Sequence, residues 1–323
     1  QRNLRLGFLL AFTVCFASSL NAFNINIDYR FDEDTTGGGL NFFDTSTVNG
    51  LLARQSLNAA ASELEYWLND SFAAIEPTAS DTWKALFFDP TSSGTGTETV
   101  LDFEIPENTI TVFAGAFNGG SSILLGQGSK GGYLSLSGSA GFEDSVLNRG
   151  GSAEYVMWGG MIRFKADRPD WHLDHTNTPS SFDYDFYTVA IHELTHVLGI
   201  GQSTRWDALR SGLSFSGLSS VEVYNQNDPD TSNAFNPVPL NDLDHWENNL
   251  TSVRARDGIT YQEVLMGPQL DPGERLELTE LDLAGLEDIG WETTPISAVP
   301  EPAQFILVAG FLGLLVTLRR RVR

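Results

Sequence analysis

Residues 185–199, DFYTVAIHELTHVLG, form the stretch of this sequence that says most about its fold. Apolar side chains recur in it on the period of a helix with one buried face. Asp183 or Asp185 is suited to the N-cap, and we expect the helix to run from there to about Leu198. Gly199 can adopt the left-handed conformation that commonly ends a helix.

His192 and His196 lie four residues apart, so on a helix they share one face, with about 5–6 Å between their Cβ atoms. Two imidazoles at that spacing can reach one Zn²⁺ ion at ~2.0–2.1 Å. Glu193 could accept a proton from the water that the metal activates and pass it to the leaving amine of a peptide. An amphipathic helix with two polar His is the alternative. The apolar setting favours a shared metal, because buried His side chains need partners.

The pair needs a third ligand, since catalytic zinc takes three protein ligands and a water. The extended pattern HExxHxxGxxH would place a His at position 202, where this chain has Gln202. His245 is the best remaining candidate, because the other His lie upstream of the pair. Glu222 is the alternative third ligand.

Several motifs together resemble the leishmanolysin-like branch of the metzincin peptidases. In that branch an insertion separates the Gly from the third His, a Trp follows that His, and a Leu-Met pair marks the Met-turn beneath the metal. The closing helix of the family is also similar to the C-terminal motif. The resemblance covers residues 185–291 well and the N-terminal part loosely. The motifs are HELTHVLG at 192–199, DHWE at 244–247, VLMGP at 264–268 and LTELDLAGLEDIGW at 278–291.

The resemblance implies a zinc ion bound by His192, His196 and His245, with Glu193 as the catalytic base and Met266 in a structural role. It also implies a zincin fold. We therefore expect an α+β, metzincin-like molecule of two lobes. The N-terminal lobe would hold a mixed sheet and the active-site helix, and an irregular C-terminal lobe would end in a helix.

Outside the motif, alternation and helical periodicity predict further elements. We expect a strand near residues 158–164 to lie at the sheet edge and to pair with an extended peptide. Residues 114–151 are rich in Gly and Ser and indicate a long loop with short strands, and residues 202–265 are also loop-heavy. The predicted strands are 24–31, 100–103, 109–114 and 154–165, the last of which contains residues 158–164. The other predicted helices are 50–70 and 281–289, the second opened by a capping box at 279–282 and stopped by Gly290.

The two ends of the chain differ from the body. Residues 1–22 have the basic, apolar and small-residue regions of a secretory signal peptide. Residues 299–323 join Pro-Glu-Pro, an apolar helix and an Arg cluster, which resembles the PEP-CTERM sorting signals of Gram-negative bacteria, processed by an exosortase. An ordinary membrane anchor is the alternative. Residues 23–298 would then be the metallopeptidase domain, and Cys15, the only cysteine, lies outside it.

Residues 23–298 carry 13 basic and 41 acidic side chains, a net charge of −28. Such a body is a poor partner for nucleic acid. Acidic loops such as 227–230 could bind Ca²⁺, but no complete calcium-loop motif is present. His172, Asp174 and His175 could hold a second zinc, although a polar loop is favoured.

The sequence thus predicts an exported zinc endopeptidase of the cell envelope, surface or surroundings of a Gram-negative bacterium. Its expected partners are a protein or peptide substrate and the export and exosortase-type sorting machinery, with the membrane contacted through the C-terminal helix before processing. A catalytically inactive, metal-binding surface or extracellular-matrix protein of the same fold is the alternative.

Overall fold

The computed structural model describes residues 23–121, 123–149, 158–227 and 236–294. These residues form a mixed α+β structure, which confirms the predicted class. Its helices are α1 Arg30–Glu33, α2 Val48–Trp67, α3 Ala140–Leu147, α4 Phe186–Val197, α5 Thr204–Leu209, α6 Leu218–Asn227 and α7 Glu280–Ile289. Its longer strands are β1 Asn24–Asp28, β2 Thr82–Phe88, β3 Thr97–Leu101, β4 Thr109–Phe117, β5 Gly126–Lys130, β6 Gly132–Ser137 and β7 Gly159–Lys165. The short strands are β8 Trp171–His172, β9 Tyr184–Asp185, β10 Ser214–Phe215, β11 Val238–Pro239, β12 Thr251–Val253 and β13 Tyr261–Glu263.

The main sheet is mixed, as predicted, and has the strand order β1-β4-β7-β5. Strands β1, β4 and β7 are parallel, whereas β5 runs antiparallel to β7 at one edge. Every residue of β4 and β7 is buried, because both faces of the sheet are covered. Helices α2 and α4 pack against each other and cover one face.

A second sheet, of order β3-β2-β6, covers the other face. Alternate residues of β4 serve the two layers: Ile110 and Val112 face the helices, and Phe113 faces the second sheet. There Phe113 stacks on Phe87 of β2, with ring centroids 4.5 Å apart. Strand β4 therefore joins two hydrophobic cores.

The predicted edge position of residues 158–164 is wrong. Strand β7 lies inside the sheet, paired with β4 on one side and β5 on the other. It is β5, within the Gly- and Ser-rich stretch, that lies at the edge beside α4. Strand order depends on which distant segments pair, and alternation within one strand does not encode that.

Several elements differ from the sequence prediction. The stretch 114–151 holds short strands, as predicted, but also helix α3, whose N-cap Ser139 accepts a hydrogen bond from the Phe142 N–H. Strand β2 was not predicted, nor were α5 and α6 within the loop-heavy stretch. The strand predicted at 24–31 ends at Asp28, since the chain turns into α1.

The C-terminal part continues the larger core. Helix α7 begins at the predicted capping box, where Thr279 and Asp282 exchange side-chain and backbone hydrogen bonds. It ends at Gly290, which is left-handed with φ +118°. The Trp291 indole N–H then donates to the Leu198 carbonyl at 2.8 Å, which ties the end of α7 to the end of α4.

In the part of the chain that the structure describes, no helix combines the length and apolar character needed to cross a membrane. The predicted signal peptide, the predicted sorting tail and most of the acidic loop at 227–230 lie outside the described residues.

Candidate metal centre

Helix α4 starts at Asp185, a fully buried N-cap. Its carboxylate accepts hydrogen bonds from the Thr188 N–H at 3.1 Å and the Thr188 hydroxyl at 2.8 Å. The Arg275 guanidinium donates to both of its oxygens, at 2.9 and 2.6 Å. The cap thus fixes the start of the helix to a segment 90 residues downstream.

The three predicted metal ligands come together. The Nε2 atom of His196 lies 3.1 Å from that of His192 and 3.2 Å from that of His245. His192 and His196 project from one face of α4, as their spacing predicts. His245 reaches them from a loop 49 residues further along the chain.

The Nδ1 atom of each of these rings makes a hydrogen bond that fixes the orientation of the ring. His192 Nδ1 donates to the Leu265 carbonyl at 2.9 Å, and His196 Nδ1 donates to the Ile200 carbonyl at 2.9 Å. His245 Nδ1 donates to the Asp242 carboxylate, at 2.9 and 3.1 Å from its two oxygens. A ring whose Nδ1 holds the proton in this way presents a lone pair at Nε2 when it binds a metal ion.

Three lone pairs aimed at one point repel one another unless a cation lies between them. A tetrahedral ion with bonds of ~2.0–2.1 Å places its ligand nitrogens about 3.3–3.4 Å apart, close to the separations found here. Burial and the neighbouring His residues keep the pKa of His192 well below its usual value, and burial lowers that of His196 to about 4. Both rings are therefore neutral and able to bind a metal ion at neutral pH. Within the described ranges, this is the one cluster of His, Cys, Asp or Glu side chains that could hold a metal ion.

Glu193 lies beside the three imidazoles and against strand β5. Burial raises the pKa of its carboxyl to about 8, opposed by a hydrogen bond from the Gly128 N–H. A Cβ atom at Gly128 would lie 2.0 Å from the Glu193 carbonyl oxygen, so only glycine permits this approach. A nearby divalent cation would favour the ionised carboxylate. Glu193 thus lines the same cleft as the three imidazoles, with its carboxyl group buried.

A cleft of about 600 Å³ opens onto this site. Its lining is mostly apolar, and Gln202 and Asp244 add polar groups. The wall residues include Leu125 before β5, Tyr184 and Val189 at the start of α4, and Pro268 and Leu270 after the Leu-Met pair.

The other candidate ligands lie elsewhere. Gln202 lines the cleft but belongs to no ligand cluster. Glu222 is exposed on α6 and accepts a hydrogen bond from Gln226, so it does not supply the third ligand. His172 bonds to the Asn177 carbonyl through Nε2.

The loop around Asp174 is a polar turn. The Asp174 carboxylate accepts hydrogen bonds from Thr176 and Asn177. His175 lies within 3.4 Å of the Ser56 hydroxyl. In the described residues these side chains form no ligand cluster, so the second zinc site is not formed.

Some functional groups were missed by the sequence prediction. Asp242, three residues before His245, was visible as an acid near a candidate ligand but was not singled out. The carbonyls of Leu265 and Ile200 could not be identified, because backbone groups carry no sequence signal. Met266 is fully buried, and its carbonyl accepts a hydrogen bond from the Trp246 N–H at 3.0 Å.

No known protein-family model matches this sequence, and no curated protein shows significant similarity to it. What this protein does is therefore inferred from the chemistry of the site itself.

Proposed function

We propose that this protein is a zinc-dependent endopeptidase. The observation that carries the proposal is the convergence of three imidazole Nε2 atoms beside the Glu193 carboxylate, at the base of a cleft. Hydrolytic zinc sites use three protein ligands and leave one position open, and this cluster offers three.

Zinc is favoured among the metals that imidazoles bind. Imidazole also suits copper, iron and nickel, but zinc is the common ion of hydrolytic sites with three protein ligands, and it brings no redox chemistry. When bound, the ion would polarise the scissile carbonyl and lower the pKa of a water molecule. His192, His196 and His245 would hold it, and their Nδ1 partners would fix the orientation of each ring.

Glu193 would carry the proton. Its carboxylate takes a proton from the attacking water and delivers it to the nitrogen of the leaving amine. The Gly128 N–H holds the carboxylate in place. Burial of Glu193 excludes bulk water, and this keeps the transferred proton within the site.

The substrate would bind as an extended chain. Among the described strands, β5 has a strand partner on one side only, β7, and its residues 126–128 line the cleft. A peptide added along β5 would pass over the three His side chains, with its backbone bonded to the strand. The cleft is lined by β5 and α4 and by the loop of His245. This arrangement supports the proposal of a two-lobe zincin fold.

Glu193→Ala tests the mechanism. We expect the variant to bind stoichiometric zinc while casein cleavage falls by about 10²–10⁴-fold, because the proton acceptor is lost and the ligands remain. Glu222→Ala is the matched control, since Glu222 is exposed and remote from the cleft, and it should keep full activity.

Activity that survives Glu193→Ala would contradict this mechanism. Zinc binding by the wild-type protein without cleavage of any peptide library would instead favour the inactive surface or matrix protein. The intact Glu193 makes the enzyme the better supported of the two.

We also propose that the protein is exported from a Gram-negative cell through residues 1–22 and sorted by an exosortase-type enzyme through residues 299–323. The basis is the sequence of both ends. Mass spectrometry of the protein from fractionated cells would show both termini removed. Intact termini in a cytoplasmic fraction would contradict this part of the proposal.

A further inference from the structure

Asp282, in the first turn of α7, is a fully buried acidic residue. Its Oδ2 atom accepts hydrogen bonds from the Leu265 N–H at 3.0 Å, the Thr279 N–H at 2.9 Å and the Thr279 hydroxyl at 2.7 Å. Its Oδ1 atom accepts from the Met266 N–H and from the Trp246 indole N–H, both at 3.1 Å. A helix cap needs only the bonds to Thr279. The other three reach two segments outside the helix.

Both of those segments hold groups of the metal centre. The Leu265 N–H is bound by Asp282, and the carbonyl of the same residue accepts the Nδ1–H of His192. Trp246 follows His245 directly, and its backbone N–H donates to the Met266 carbonyl. Asp282 is therefore linked to His192 by two hydrogen bonds through Leu265, and to the residue next to His245 by one hydrogen bond. Its side chain contacts neither His directly.

His196 does not depend on this network. Its Nδ1 partner is the Ile200 carbonyl, which lies just beyond the end of its own helix. His196 thus takes its Nδ1 partner from just beyond its own helix, whereas Asp282 bonds to Leu265, the Nδ1 partner of His192, and to Trp246, the residue after His245.

We propose that Asp282 is a positioning residue of the metal centre, which sets the orientation of His192 and the location of His245 through the 265–266 turn and Trp246. This inference rests on the metal-binding part of the proposed function and not on hydrolysis. The Asp282 side chain suits this role, because a carboxylate can accept all five hydrogen bonds while donating none.

Asp282→Asn is the test, because the amide has nearly the same shape but turns one acceptor into a donor that faces N–H groups. Asp288→Asn is the matched control. Asp288 lies on the same helix and accepts the Ser219 and Ser220 N–H groups, each at 2.8 Å, which serve α6 and not the metal centre. Trp246→Phe is a second test variant that removes the indole donor to Asp282 and keeps an aromatic ring.

The full-length protein and its variants would be loaded with Zn²⁺ against a competing chelator, and with Co²⁺ for its visible spectrum, at a temperature where each is folded. We expect Asp282→Asn to lose about 10–100-fold in Zn²⁺ affinity and to change the Co²⁺ bands. Trp246→Phe should lower the Zn²⁺ affinity and change the Co²⁺ bands in the same direction, but by smaller amounts. Asp288→Asn should melt earlier but keep the wild-type affinity and spectrum.

Wild-type affinity and spectrum in Asp282→Asn would overturn the inference, as would equal losses in Asp288→Asn. If Asp282→Asn does not fold, Trp246→Phe decides on the same two readouts. A wild-type protein that binds metal without cleaving peptides would overturn the endopeptidase proposal alone, so the two failures are distinguishable.

Discussion

At Gly126 and Gly128, the lack of a side chain decides how closely strand β5 can approach helix α4. A Cβ atom at Gly126 would lie 3.0 Å from both Cγ and Oε1 of Glu193. One at Gly128 would lie 2.0 Å from the Glu193 backbone oxygen, which cannot move without moving α4. Because both positions are glycine, the edge strand lies directly against Glu193, and both line the cleft.

Gly128→Ala should therefore damage both stability and activity. We expect the free energy of unfolding to fall by about 1–3 kcal/mol, the usual range for overpacking, and peptide hydrolysis to fall with it as Glu193 is displaced. Urea denaturation and a peptidase assay would measure both. Gly141→Ala in α3 is the control, because its Cβ would meet nothing within 4 Å. A Gly128→Ala protein as stable and active as Gly141→Ala would contradict this account of the contact.

Glu193 should also give the metal-free protein a characteristic pH dependence. Burial raises the pKa of Glu193 from 4.5 to about 8, so the folded state holds a proton that the unfolded state releases between these values. The contribution of this group to stability is thus present below pH 4.5 and lost as the pH rises through 8.

Glu193→Gln removes that titration. Relative to the wild type, we expect its free energy of unfolding to increase with pH across this window, by at most about 1.4 kcal/mol per pH unit. Urea denaturation of both proteins in chelator would measure the difference, and the titrating His residues cancel because both proteins contain them. A difference that stays constant with pH would show that Glu193 is not buried in the neutral form.

At the scale of the element, α4 is held at both ends by residues distant in sequence. Its N-terminal cap is the Asp185–Arg275 pair, and Arg275 also donates to the His175 carbonyl. Its C-terminal carbonyl at Leu198 accepts the Trp291 indole N–H. Helix α4 is thus held by Arg275 and Trp291 as well as by the packing of its own apolar face.

Asp185→Ala should be much more costly than the loss of an ordinary cap. We expect a loss of about 3 kcal/mol, because the cap and a buried charge pair are both removed and Arg275 is left without its carboxylate. Ser139→Ala, at the cap of α3, should cost about 1 kcal/mol. Thermal or urea unfolding of the two variants would compare them. Equal losses would mean that the Arg275 pair adds no stability.

At the scale of the whole molecule, the three histidines that lie close enough to bind a metal come from two separate parts of the chain. His192 and His196 belong to the helix that packs on the main sheet, whereas His245 belongs to the loop that packs on Trp206 and Phe215 through Trp246. An ion bound by all three would link these two parts across the cleft. Metal binding should therefore stabilise the native state as a whole.

Removing the metal should lower the melting temperature of the wild-type protein. At a Zn²⁺ concentration 100 times the Kd, binding adds about 2.7 kcal/mol, which corresponds to roughly 5 °C for a domain of this size. Calorimetry with and without a chelator would measure the shift. His245→Ala should lose most of it, and His172→Ala, outside the triad, should keep it. An unchanged shift in His245→Ala would remove that residue from the ligand set.

Local features were predictable because their causes lie within a few residues. The cap at Asp185, the turn at Gly199 and the capping box of α7 each depend on bonds between near neighbours, and the structure shows all three. The spacing of His192 and His196 belongs to the same class, since helix geometry alone places them on one face.

What the sequence by itself determined is therefore helix α4, its limits and the shared face of His192 and His196. Only the tertiary structure decided that β5 and not β7 forms the edge, that Glu222 lies away from the cleft, and that Asp282 holds the 265–266 turn. The physical reason is that these features depend on pairings between segments tens of residues apart. Such pairings are chosen by the packing of the whole core, which no short pattern of residues can express.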